Sequence, residues 1–220
     1  SSGDNYWKVR TQNFLGIWSD YSEIGMFIVG GPLPVSLLTP ENSLTLFSQP
    51  SFNWIPMSGA VEYQLMVDDS IAFDSPELDT IFNFVGITST SPLKEGSNYW
   101  KVRGKSDLDI WGGFTDTWQF TLTGPDGPDL QTPTLDSVYS VYTTLTPYFS
   151  WESLEAAVQY HIEIGTDQYF SEIEYSDSTI NSPNTTITMD LLEGIHYWHI
   201  RGMNELGMWG TWSETEEFNI

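Results

Sequence analysis

Apolar and polar residues alternate over short stretches along most of this chain. Val61, Tyr63, Leu65 and Val67 are separated by Glu62, Gln64 and Met66, the period of two that predicts a strand with one buried face. Val158, Tyr160, Ile162 and Ile164 repeat the pattern against Gln159, His161 and Glu163, and Phe52 with Trp54 and Trp118 with Phe120 and Leu122 continue it. Clusters of proline, glycine, serine and aspartate punctuate the intervals, and no long helical period competes. The expectation is an all-β protein of many short antiparallel strands.

The pattern is itself repeated. Tyr6-Trp7-Lys8-Val9-Arg10 returns as Tyr99-Trp100-Lys101-Val102-Arg103 and as Tyr197-Trp198-His199-Ile200-Arg201. Each copy has a glycine before it (Gly3, Gly96, Gly194), a tryptophan after it (Trp18, Trp111, Trp209) and a phenylalanine further on (Phe27, Phe120, Phe218), in one register. Upstream, Phe52, Trp54, Tyr63, Val67 and Phe73 match Phe149, Trp151, Tyr160, Ile164 and Phe170. One residue is inserted before the third tyrosine, and the polar stretch Ser176 to Asn184 is the expected place, because surface turns absorb insertions cheaply.

Several short strands per unit of this size predict antiparallel β-sandwiches in tandem. Pro-x-Phe-x-Trp, then Gly-Ala-x-x-Tyr-x-Leu-x-Val between Pro50 and Val67, then Gly-x-x-Tyr-Trp-x-Val-Arg and a closing tryptophan, resemble the fibronectin type III-like repeats of large microbial cell-surface or secreted proteins. The resemblance implies a linker over 31–39, a repeat over 40–123, a second linker over 124–131, a repeat over 132–220, and only the final two strands of a preceding repeat in 1–30. That family commonly has a tyrosine two residues before the strand tryptophan, forming a corner hydrogen bond. Here Asn5, Asn98 and His196 stand there, so the corner is either absent or remade by another side chain.

Charge narrows the function. Thirty acidic residues against seven basic ones give a net charge of −23, which repels phosphate backbones and anionic membranes. Nucleic acid is therefore not an expected partner, and no apolar run is long enough for membrane insertion. With no cysteine, stability must come from cores alone.

Five of the seven basic residues, Lys8, Arg10, Lys101, Arg103 and Arg201, fall in the repeated motif. Strand alternation puts them on the face opposite the motif's tryptophan and valine, where they can stack with Trp18, Trp111 and Trp209. The arrangement resembles the tryptophan and arginine ladder of cytokine-receptor domains, a structural use, with a sugar-stacking platform as the alternative.

Other candidate chemistry is thin. Asp68, Asp69 and Asp74 crowd one loop as a candidate calcium site, but the equivalent loop Gly165-Thr166-Asp167-Gln168 keeps one acid, which favours a solvated turn. The linkers Gly30-Gly31-Pro32-Leu33-Pro34-Val35 and Gly124-Pro125-Asp126-Gly127-Pro128-Asp129 predict short spacers with freedom at their glycines. His161, His196 and His199 are the only histidines, and repeat substitution accounts for them. No phosphate loop, nucleophile elbow or paired zinc motif is present, so the expectation is not an enzyme, with no catalytic, cofactor or metal residue. Asn184-Thr185-Thr186 is a glycosylation sequon.

Residues 4–29 predict a hairpin with a core-type face of Trp7, Val9, Phe27 and Val29, and an isolated hairpin is marginal in water. Its cover comes either from earlier residues of a longer chain or from another molecule by strand complementation. The expected role is a structural segment of an extracellular stalk, surface layer or filament, whose partners are neighbouring repeats or copies of itself. The rival is an adhesin or carbohydrate-binding module using Trp118, Tyr139, Tyr142 and Tyr169, and accessory domains of a larger secreted enzyme come third.

Overall fold

The structure, a computed structural model, describes residues 3–34, 36–134 and 145–220; Tyr139 and Tyr142 lie outside them. The described residues form strands and turns only. None forms a helix long and apolar enough to cross a membrane.

Strands β1 (Gly3–Trp7) and β2 (Gly25–Val29) make a two-stranded antiparallel sheet, with Asn5 opposite Phe27. The next copy has two sheets. One is the order β3-β5-β8, from Leu37–Thr39, Ser51–Trp54 and Ile87–Thr88. The other is the order β4-β10-β9-β6-β7, from Leu44–Leu46, Trp118–Leu122, Gly96–Ser106, Ala60–Asp68 and Leu78–Phe82. The last copy repeats the arrangement. Strands β11 (Leu130–Thr132), β12 (Tyr148–Trp151) and β15 (Asn184–Thr186) form one sheet, and β14 (Ile173–Ile180), β13 (Gln159–Gly165), β16 (Ile195–Met203) and β17 (Glu216–Asn219) form the other.

Packing separates the chain into two compact units. The first holds Ser1–Ser43, Ser51–Ser91 and Asn98–Gln119, and the second holds Leu44–Pro50, Pro92–Ser97 and Phe120–Ile220. Inside the second, the buried Asn204 amide donates to the carbonyls of Phe47 and Thr123 at 2.8 and 3.0 Å.

Alternation builds the cores, as the strand period implies. Tyr63, Leu65, Val67, Trp100 and Val102 are buried, and Tyr160, Ile162, Ile164, Trp198 and Ile200 match them. Edge-to-face rings lock the centre of the last copy: Phe149 meets Trp198 at 5.0 Å and Phe218 at 5.5 Å, the geometry ring quadrupoles favour. The two buried tyrosines keep their hydroxyls satisfied alike, Tyr63 accepting from the Met57 amide at 3.2 Å and Tyr160 from the Leu154 amide at 3.1 Å.

Two expectations need correction. Val61 and Val158 are exposed, not part of the core-facing row. In β6 the register shifts between Ala60, opposite Ser106, and Glu62, opposite Lys105, so Val61 is an extra residue that the bulge turns outward. Val158 precedes β13. The inserted residue, in turn, falls within the expected stretch but in a strand, not a loop. Tyr160 opposes Ile180 and Ile162 opposes Asp177, so two steps on β13 face three on β14, whereas Tyr63–Phe82 and Leu65–Thr80 keep equal steps. The insertion is a β-bulge inside β14, which adds a residue at the cost of one ladder irregularity.

Candidate functional site

The motif that recurs three times makes one surface feature three times. From Lys8, Lys101 and His199 onward the chain runs to a turn and returns through the tryptophan. Three pairs hold that return: Gln12 bridges Trp18, Lys105 bridges Trp111 and Met203 bridges Trp209. A hydroxyl then clamps each strand, Ser22, Thr115 and Ser213 each accepting from Val9, Val102 and Ile200 at 3.1 Å.

On this frame cations and rings interleave. The Arg103 guanidinium lies 4.7 Å from the Trp111 ring centre and 4.5 Å from that of Phe114, while Lys101 Nζ lies 3.6 Å over Phe73 and 4.8 Å over Phe114. Arg201 sits 5.1 Å from Trp209 and 4.4 Å from Trp212. In the hairpin, Arg10 lies 4.5 Å over Trp18 and 4.8 Å over Tyr21, and Lys8 lies 4.0 Å over Tyr21. All five motif cations are thus held by rings, each contact worth about 0.5–2 kcal/mol by exposure.

The neighbouring strand completes the two later ladders. Arg103 Nε donates to Gln64 Oε1 at 2.7 Å, and Arg201 donates to Nδ1 of His161 from Nε at 3.3 Å. Nine residues after Gln64 and His161 come Phe73 and Phe170, each at positive φ, 55° and 54°. Bulky residues seldom adopt that conformation. Here a turn imposes it, closed by the Phe73 amide on the Ser70 carbonyl and the Phe170 amide on the Asp167 carbonyl, both at 3.1 Å. The result is a ring laid over the ladder's end.

In the last copy His199 replaces the lysine and stacks between Phe170 at 3.6 Å and Trp212 at 3.8 Å. Its Nε2 is 3.1 Å from Glu163 Oε2. Burial pushes the His199 imidazole below its ordinary value, against the pull of Glu163 and with the help of His161 and Arg201; His161 is lowered by burial too. His196 is buried, with Nε2 2.7 Å from the Leu192 carbonyl and Nδ1 3.0 Å from Glu174. It therefore remakes the corner, tying its strand to backbone four residues upstream. The histidines are parts of the framework.

The acidic loop differs from its expectation. Among the described residues, the grouped carboxylates are Asp68, Asp69 and Glu77, without Asp74. Asp68 is buried and accepts from the amides of Ser70 at 2.9 Å and Ser75 at 3.2 Å, so its charge organises the turn that carries Phe73. Trp118 is half-buried against Trp100 at 6.0 Å, whereas Tyr169 is 81% exposed.

The linker glycines also have another role than freedom. A Cβ on Gly31 would overlap the backbone of Trp111 and Gly112, and one on Gly124 the backbone of Trp209 and Gly210. Conversely, a Cβ on Gly112 would overlap the Pro32 carbonyl and one on Gly210 the Pro125 carbonyl. Gly104 and Gly202 complete each groove, facing Pro32 and Pro125. Each linker is thus laid against the tryptophan-glycine turn of the repeat it precedes. The recurrence of Gly104 and Gly202 at one distance from their tyrosines was the available signal.

No protein-family model matches the chain, and no curated protein matches it. Among solved structures it is similar to the FN1-FN3 domains of chicken CNTN1, at 14% identity over 98% of this chain and 75% of that one, with a TM-score of 0.36. It is also similar to a two-domain fibronectin type III segment of chicken tenascin, at 11% identity over 86% and 99%, TM-score 0.41. A third is the fibronectin(III)-like modules of Clostridium thermocellum CbhA, at 10% identity over 85% and 94%, TM-score 0.33. By its own strand order, a three-stranded sheet with a larger one carrying the ladder, each complete repeat of this chain is a fibronectin type III-like β-sandwich.

Proposed function

We propose that the protein is a non-catalytic, extracellular structural segment, part of a cell-surface stalk, surface layer or filament in which β-sandwich repeats set length and spacing. The observation that carries this reading is the ladder. The residues that look most like chemistry, five of the seven cations together with the tryptophans, are spent on one another and on the framework in all three copies. Docked linkers and an acidic surface suit a long molecule that must stay extended and unaggregated.

The hairpin adds a joint to this reading. Trp7 is 50% exposed and Phe27 52%, although their counterparts Trp100, Trp198, Phe120 and Phe218 are fully buried. We read that face as the acceptor in strand complementation, head to tail along a fibre. Electron microscopy of native material tests the proposal: filaments, layers or elongated stalks are expected, and compact single molecules overturn it.

The exposed Tyr169 favours a second reading, an adhesin or carbohydrate-binding module. Glycan-array binding lost in Tyr169→Ala would establish it.

A further inference from the structure

The second compact unit holds a groove that the ladder does not use. Its floor includes Phe47, Leu154 and Val158, and its rim carries Asp126, Glu155 and Glu205. Its volume is about 670 Å³, in the range of ligand sites. Val158, 54% exposed, is open within it. No lysine, arginine or histidine lines the groove, and among the described residues none of the three carboxylates is ion-paired. An apolar surface is thus bounded by charge of one sign alone.

The walls are fixed before anything binds. Asn204 donates through Nδ2 to the Phe47 carbonyl at 2.8 Å, and its Oδ1 accepts from the amides of Leu206 and Met208 at 3.0 Å, which sets the turn carrying Glu205. The Leu154 amide donates to the Tyr160 hydroxyl at 3.1 Å and the Val158 amide to the Met203 carbonyl at 2.8 Å. Little ordering is left for binding to supply.

The preceding copy shows that the fold does not require these charges. Its own groove, about 440 Å³, has Leu33, Ser58 and Asp107 at the places of Asp126, Glu155 and Glu205. Shared contacts fix the correspondence: Pro32 and Pro125 lie against Gly112 and Gly210, the Tyr63 and Tyr160 hydroxyls meet the Met57 and Leu154 amides, and Gly104 and Gly202 face the two prolines. Asp126 and Glu155 are therefore additions to a common framework.

We propose that the groove is a docking site for a basic, apolar peptide segment of a partner protein, in which an apolar side chain covers Val158 and Leu154 while flanking lysine or arginine side chains meet Asp126, Glu155 and Glu205. Charge complementarity selects this occupant. A second copy of the chain suits the groove poorly. It carries the same net charge of −23, and its cations are engaged, five over rings, Lys105 with Glu62 and Asp109, and Lys94 by a contact of its own.

The full chain is titrated with a capped Lys-Phe-Lys peptide, with capped Ser-Phe-Ser and Lys-Ser-Lys as comparisons, and methyl NMR reports on Val158 and Leu154. Shifts at both residues are expected with Lys-Phe-Lys, and weaker binding of the other two peptides. Glu155→Gln and Glu205→Gln should each weaken binding about 2- to 5-fold, and Val158→Lys, at an exposed position, should abolish it. Because so acidic a chain attracts any cation, shifts spread over distant acidic residues, or binding unchanged by Val158→Lys, overturn the site, as does an absence of shifts at millimolar peptide. Butylammonium binding as tightly as Lys-Phe-Lys overturns the peptide as occupant. Self-association of the chain that Val158→Lys removes would make a second copy the occupant and overturn the specified partner.

Discussion

The imidazole of His199 lies flat on the indole of Trp212, 3.8 Å between ring centres and 12° from parallel. Lys101 holds the matching place over Phe114 in the preceding repeat. An imidazole thus does in one repeat what a lysine ammonium does in the other, and the two sandwiches should respond differently to acid.

Because burial lowers both His199 and His161 from 6.5, the unfolded chain takes up protons more readily than the folded one. Stability from these groups is therefore full above about pH 6.5 and is lost as pH falls through the lower folded values. Thermal unfolding followed by circular dichroism should show the second repeat melting earlier below that pH. His199→Lys should flatten the dependence without removing the ladder, and an unchanged profile would refute the assignment.

Substitutions at the linker groove should separate two glycines that look alike in sequence. Gly210→Ala would force a methyl into the Pro125 carbonyl and should destabilise by about 1–3 kcal/mol, with faster proteolysis near Gly124. Gly113, where an added Cβ meets nothing within 4 Å, should tolerate alanine almost without effect. Urea unfolding of the two variants compares them directly.

Arg103 combines two ring contacts with a 2.7 Å hydrogen bond to Gln64, whereas Arg10 is exposed over its rings. Arg103→Ala should cost about 1–3 kcal/mol in chemical unfolding and Arg10→Ala under about 1 kcal/mol. Equal losses would mean that the strand acceptor adds nothing.

At the remade corner, His196→Ala leaves the Leu192 carbonyl and the Glu174 carboxylate without the imidazole between them, an unmet buried demand of about 1–3 kcal/mol. Glu174 also accepts from the Leu192 amide at 2.9 Å, so Glu174→Gln should lose less. Amide exchange at Leu192 is the local measurement.

Much of this protein is legible in its sequence because its determinants are local or periodic. Alternation buries one side of the central strands β6, β9 and β13, and the returning Tyr-Trp-x-Val/Ile-Arg motif sets the copies in register and puts cations and tryptophans on a shared face, since side chains two apart must point the same way. Other features depend on what an adjacent strand or backbone does. Only the register of β14 against β13 shows that the extra residue is a bulge, and only the fold brings Phe73 and Phe170 back over residues some thirty positions away. The linker glycines read as freedom in one dimension and as close contact in three, because their missing side chains matter only where Trp111-Gly112 and Trp209-Gly210 approach them. The hairpin divides along the same line: its sequence dictates a core-type face, while burial of that face is decided by strands that its own residues do not contain.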